Sequence, residues 1–170
     1  NTNPLNKYFR QPSIYVTLPS GGSYPPHVVQ QSQSGEIGIQ PMTAKDEIRF
    51  KTPDALMNGQ GVVDVIQSCV PQIKDAWQIK SYDLDTLLIA IRIATYGETM
   101  DFNFTVPGAN EQVTHSQNLP AILDQIKSTV IESEITLEDG LKISIRPLTY
   151  KDMTTASQQT FQQQKMYSAV

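Results

Sequence analysis

The chain has 170 residues, 39% of them apolar and 18% charged, with 13 basic against 17 acidic side chains and one cysteine. That length suits one compact domain, or two small ones, with an ordinary hydrophobic core, while a single thiol excludes an internal disulfide, and with two histidines it cannot by itself complete a four-ligand structural zinc site. A net charge of −4 with scattered basic residues lacks the footprint of nucleic-acid binding, and no run approaches the roughly 18 to 20 apolar residues that cross a bilayer. A soluble intracellular protein without membrane insertion is expected.

Glutamine approaches one residue in ten and crowds the stretch Gln158-Gln159-Thr160-Phe161-Gln162-Gln163-Gln164. A polar but uncharged surface avoids the cost of burying unpaired ions against another protein, which suits a subunit of an assembly; it equally suits a solvated helix face.

In chain order, Asn1 to Gln11 is polar and aperiodic apart from Tyr8-Phe9, and reads as an arm that docks on something else. Ile14 to Leu18 reads as a strand, residues 21 to 35 as a long loop, and Glu36 to Gln40 as a second strand. Thr43 and Asp46 form a helix-opening pair ahead of a helix to about Lys51, and Thr52 with Pro53 opens another. Val62 to Val70 predicts a short helix. Ser81 to Tyr96, apolar on nearly every face, predicts the central helix, ended by Gly97.

Beyond it, Met100–Val106 and Gln112–His115 alternate about a Pro-Gly turn and predict a hairpin; Leu119–Ile126 predicts a helix. Ile131–Leu137 and Leu141–Ile145 about Glu138-Asp139-Gly140 predict a second hairpin, and Thr149 opens a C-terminal helix through the glutamines. An internal echo accompanies this pattern. Ile39 to Asp46 and Ile145 to Asp152 both read Ile-x-Pro-(Met/Leu)-Thr-x-Lys-Asp, and Val16-Thr17-Leu18 with Gly21 matches Ile135-Thr136-Leu137 with Gly140. If this is a duplication, the hairpins at 14 to 40 and 132 to 147 share one sheet.

Catalytic chemistry finds little support. Neither His27 nor His115 has ligand spacing to a partner, no Gly-x-Ser-x-Gly elbow is present, and Asn58-Gly59-Gln60-Gly61 lacks the lysine of a phosphate loop. Cys69 reads as a small buried hydrophobe, Asp83 and Asp85 as acids near a helix start. A small hydrolase or metal enzyme remains the alternative from a different class, requiring a buried His115 beside an acid. No cofactor is expected.

The runs Pro41-Met42-Thr43-Ala44-Lys45-Asp46-Glu47, Thr52-Pro53-Asp54-Ala55-Leu56-Met57-Asn58-Gly59, Val65 to Pro71, Ile73 to Trp77 and Asp83 to Gly97 resemble the baseplate hub family of contractile-tailed, T-even-like bacteriophages, over about residues 12 to 150. The resemblance implies a non-enzymatic structural protein of the viral tail, binding other baseplate, hub or tail proteins within a symmetric assembly, made in the host cytoplasm and carried in the virion. It equally admits a transient hub assembly factor absent from the finished particle. Relatives carry a Cys-Pro-x-Cys-Gly knuckle where this chain has Val106-Pro107-Gly108-Ala109-Asn110, so a metal there is excluded; burial of Phe102, Phe104 and Val106 is expected to replace it.

The expected fold is α+β, a single domain with β-hairpins from both chain ends packed around a helical middle and a C-terminal helix. Its divisions are an arm (1–12), the baseplate-protein domain (13–150) and a glutamine-rich helix (151–170). Segments 1–12, 21–35 and 153–170 have the weakest claim on the core, and Tyr8, Phe9, Tyr24, Phe161, Met166 and Tyr167 are the candidate partner-binding side chains.

Overall fold

The computed structural model describes residues 10–53, 58–105, 112–127 and 133–168. Three antiparallel pairs of strands and five helices alternate in it: β1 (Ile14–Val16), β2 (Ile37–Ile39), α1 (Ala44–Phe50), α2 (Gln60–Cys69), α3 (Ser81–Tyr96), β3 (Thr99–Thr105), β4 (Gln112–Asn118), α4 (Leu119–Lys127), β5 (Glu134–Thr136), β6 (Lys142–Ser144) and α5 (Tyr150–Ser168). A 3₁₀ turn, Ala76–Gln78, precedes α3. The architecture is an α+β single domain with a C-terminal helix.

One core holds it together. Helix α3 lies at its centre, burying Leu84, Leu87, Ala90, Ile91 and Ile93, and α2 adds Val63, Val65, Ile66 and Cys69. The β1–β2 pair closes one side with Val16, Ile37 and Ile39, while α4 adds Leu119 and Leu123. Among the described residues no buried apolar side chain follows Leu123; Tyr150 alone of the last third packs against the core, half-buried.

The helix starts come from the sequence pairs that announced them. Thr43 accepts from the Asp46 amide at 3.3 Å while the Asp46 carboxylate accepts from the Thr43 amide at 2.8 Å, a reciprocal capping box. Thr149 and Asp152 repeat it at 3.2 and 3.0 Å. The echo extends upstream: Gly21 and Gly140, both at positive φ, donate their amides to Leu18 and Leu137 at 2.9 Å. Pro53 is helical, but residues 54–57 of the second predicted start lie outside the described residues.

The two copies nevertheless do not share a sheet. β1 pairs only with β2 and β5 only with β6, in separate two-stranded sheets, which corrects the expectation of a common one. The connector decides the difference. In the first copy it runs inward: Val28 and Val29 are buried, Val29 bridges to Ile73, and Lys74 donates to the Val28 carbonyl at 2.8 Å. In the second copy a tight turn joins Leu137 to Leu141 and brings nothing to the core. Segment 21–35 is thus partly core, against the expectation that it stays free.

The first turn of α3 fixes this connector. The Asp83 carboxylate, fully buried, accepts from the Ser20 amide at 2.9 Å and from the Tyr24 hydroxyl, and that hydroxyl accepts from the Lys80 amide at 3.0 Å. Burial and the adjacent Asp83 push the Tyr24 phenol above its ordinary pKa, so it stays a neutral donor. On the other side of the same turn, Ser81 donates to Leu148 at 2.9 Å and Tyr150 to Ile79 at 2.8 Å, attaching α5.

Two stability tests follow. Gly59 precedes α2 at φ 79°, and a Cβ there would stand 3.0 Å from both Trp77 and Thr154. Gly59→Ala is expected to cost about 2 kcal/mol in urea unfolding, from left-handed strain plus crowding where α5 meets the 3₁₀ turn. Asp46 is the second site. Burial opposes its ionisation, yet hydrogen bonds from Thr43 and Ser68 and the Arg10 charge outweigh that and hold its pKa below the usual value. A carboxyl depressed on folding stabilises above its unfolded pKa of about 4 and loses this as pH falls through the folded value. Asp46→Asn should therefore be less stable than the parent at neutral pH, with the gap narrowing from about pH 4 downward; equal spacing across that range would refute it.

Candidate assembly surface

The six side chains singled out from sequence divide three ways. Tyr8 and Phe9 lie outside the described residues. Tyr24 is turned inward: its hydroxyl is held by Asp83 and Lys80, its ring lies 5.1 Å beneath the Lys80 ammonium, and it packs on the core. Its hydroxyl is thus spent inside the chain, because the buried Asp83 requires donors. Phe161, Met166 and Tyr167 all stand exposed on the outer half of α5, Tyr167 at 84%.

Helix α5 is anchored at its base. Tyr150 stacks on Trp77 with ring centroids 5.4 Å apart, and Thr154 sits against Gly59. From Thr155 to Tyr167 every residue is exposed. Over that length the side chains are almost all uncharged, with Lys165 lying over the Phe161 ring at 4.7 Å, and Ser157, Gln158, Phe161 and Gln162 line a shallow groove of about 350 Å³. At the base, a smaller cleft is lined by Asp75, Trp77, Lys151 and Gln158, with Tyr150 stacked on one face of the indole.

The sequence did not identify the larger feature. Both later hairpins are exposed along nearly their whole length. Register places Met100, Phe102 and Phe104 with Val113, His115 and Gln117 on one face of β3–β4; the opposite face is polar and cross-linked by Thr114 to Asn103 at 2.8 Å and Ser116 to Asp101. On β5–β6, Ile135 pairs with Ile143 and Leu137 with Leu141, and Ile145 extends the same face, while Glu134, Thr136, Lys142 and Ser144 point the other way. These five aliphatic side chains are 39 to 56% exposed. Phe102 and Phe104, at 44 and 49%, overturn the expectation that their burial closes the knuckle region; residues 106–111 themselves lie outside the described residues.

For catalysis the geometry offers little. His115 is exposed beside Phe102 and not in an acid-lined cleft, and His27 is exposed on the connector. Among the described residues no group of three or more His, Cys, Asp or Glu could hold a metal ion, and no helix is long and apolar enough to cross a membrane. Cys69 is fully buried; burial pushes its thiol up to about 11, away from nucleophilic use. Arg10 reaches back from the arm onto Ser68 at 3.1 Å and onto the Pro41 carbonyl, so the end of the arm next to the fold is tied to α2.

Because the β5–β6 face adds no buried side chain to the described core, polar substitution there should leave stability almost untouched. Ile143→Thr is expected to shift unfolding free energy by no more than about 0.5 kcal/mol, against about 2 to 5 kcal/mol for Leu87→Ala. Similar losses for the two in chemical denaturation would show that the hairpin is part of the cooperative core.

The family model described as T4 bacteriophage base plate protein matches residues 11–169. No curated protein and no solved structure matches the chain. The match spans the core, both exposed hairpins and α5 alike, and on that extent the chain belongs to the T4 bacteriophage base plate protein family.

Proposed function

We propose that this protein is a non-catalytic structural component of the hub in a contractile tail's baseplate, holding other tail proteins rather than acting on a substrate. The observation that carries the reading is the division of the chain: residues up to Leu123 close the core, while the last third, 133–168, presents apolar side chains on a hairpin and a helix that the core does not use. A monomer that left such faces to water would incur the cost of exposed apolar surface without return. Membership of the baseplate family supplies the class of partner.

Within this reading the chain has three working parts: an arm (1–12), the domain (13–150) and the glutamine-rich helix (151–170). The outer half of α5 is the grip on a different tail protein. Phe161, Met166 and Tyr167 are its apolar anchors, and the glutamines around them supply hydrogen bonds without the cost of stripping water from ions. Tyr8 and Phe9 fill the corresponding role on the arm. Nucleic acid is not a partner on this reading, since the 13 basic residues form no patch in the sequence. Retention in the mature virion is preferred over a transient assembly role because two hairpins and a helix offer more surface than a brief encounter needs.

Removing residues 159–170 tests the grip without disturbing Tyr150 or Thr154. The shortened protein is expected to fold with an unchanged circular dichroism spectrum and to fail to rescue tail assembly in a phage lacking the gene. Normal rescue would remove α5 from the interface, and mass spectrometry of purified particles that finds no copy of the intact protein would replace the structural role with the assembly-factor one.

A further inference from the structure

The two outlying hairpins differ in the chemistry of their apolar faces. On β3–β4 the face is aromatic at its centre, with Phe102 and Phe104 beside Val113; on β5–β6 it is wholly aliphatic, with Ile135, Leu137, Leu141, Ile143 and Ile145. Neither face carries an acid, lysine or arginine. A lone two-stranded hairpin is marginal in water, and among the described residues neither of these has a third strand or substantial packing against a helix: Met100 reaches the core from the first, and Ile145 of the second lines a cleft with Pro19 and Tyr82. Among the described residues nothing covers the rest of either face, and each would gain from a covering layer.

We propose that the covering layer is a second copy of this protein: the aromatic β3–β4 face of one copy packs on the aliphatic β5–β6 face of the other, and the reverse contact forms at the same time. Area selects this arrangement. A large apolar side chain exposed by about half offers on the order of 80 Å², so three on one face and five on the other give roughly 650 Å² for one stack. That falls short of the approximately 1,200 Å² at which stable interfaces begin, whereas two reciprocal stacks reach about 1,300 Å². The shapes agree as well. Strands of seven residues span about 24 Å and the five-residue arms 133–137 and 141–145 about 17 Å, so the shorter sheet seats wholly on the longer one at the usual spacing of about 10 Å. The polar faces, with Asp101 and Asn103 on one hairpin and Glu134 and Lys142 on the other, then face water on both outer sides. A lipid surface suits the site poorly, because Glu134, Glu138 and Asp139 rim the aliphatic hairpin and anionic headgroups would repel them.

Site-directed disulfide trapping tests the pairing, since buried Cys69 does not compete for mild oxidation. Phe104→Cys and Ile143→Cys are made as two separate proteins. Mixed and oxidised, they are expected to give a covalent dimer that neither gives alone, and the unaltered chain is expected to run at twice the monomer mass by light scattering at about 100 µM. Phe104→Asp should return it to monomer mass with its far-ultraviolet spectrum unchanged, which separates a lost contact from a lost fold. A monomeric parent at that concentration, a mass above two copies, or equal cross-linking by Phe104→Cys alone would each overturn the reciprocal pairing. These measurements use the isolated protein, so their failure leaves the baseplate role standing, and a failure of rescue in phage leaves the pairing standing.

Discussion

The structure depends on one short stretch, Ile79 to Asp83, where three parts of the chain are joined by hydrogen bonds. The buried Asp83 carboxylate takes the Ser20 amide and the Tyr24 hydroxyl, the Lys80 amide is spent on the same hydroxyl, and the Ile79 carbonyl and Ser81 amide take the Tyr150 amide and Leu148 carbonyl. A fully buried carboxylate is costly unless its lone pairs are occupied. Here that requirement forces the connector to return to α3 and stay there. Once it has returned, Val28 and Val29 fill the space beside Ile73, and of the described C-terminal third Tyr150 alone packs on the core.

That return of the connector bears on the contrast between the two halves of the sequence echo. Both halves build the same local parts, namely a positive-φ glycine, a proline exit and a Thr–Asp capping box. Only the first half buries side chains in the described core beside α2 and α3. The second carries five aliphatic side chains that the described core leaves 39 to 56% exposed. Similar local chemistry thus accompanies a core hairpin in one place and an exposed one in the other, and the longer connector of the first is the part that reaches the core. The same contrast appears at the two capping acids: Asp46 is buried under Ser68 and Arg10, whereas Asp152 has only Thr149 and the solvent-facing Arg146.

Elements governed by neighbours in sequence were legible. The span of α3 matches its predicted limits from Ser81 to Tyr96, both capping boxes form where Thr-x-x-Asp occurs, and the alternation at 100–115 and 131–145 marks two hairpins, with β4 running three residues further than its alternation indicated. What alternation does not carry is the identity of the covering layer. An apolar face on β5–β6 reads the same whether it lies on the chain's own helix or on another molecule, and the expectation that Phe102 and Phe104 are buried failed on that point. The role of Tyr24 was hidden for a related reason: its partner Asp83 lies 59 residues away, so the pair is visible only once the connector is folded. One signal did exist. After residue 127 the described residues hold one hairpin and one helix of low hydropathy, too little apolar material to close a layer of their own.

A fastener built from hairpins differs physically from one built from loose arms. An unstructured arm must lose backbone freedom when it binds, on the order of 1 to 2 kcal/mol for each residue fixed, and most of its contact energy is offset by that loss. The hairpins here are already paired strand to strand, and α5 is already helical and wedged at Gly59, so the faces are shaped before any partner arrives. The cost that remains is the exposure of apolar surface while the protein is alone. It is limited by keeping each face small, by backing each with a polar face, and by using glutamine in place of charge on the helix. Association can then rest on many modest contacts that form together, none large enough to hold a wrong partner by itself.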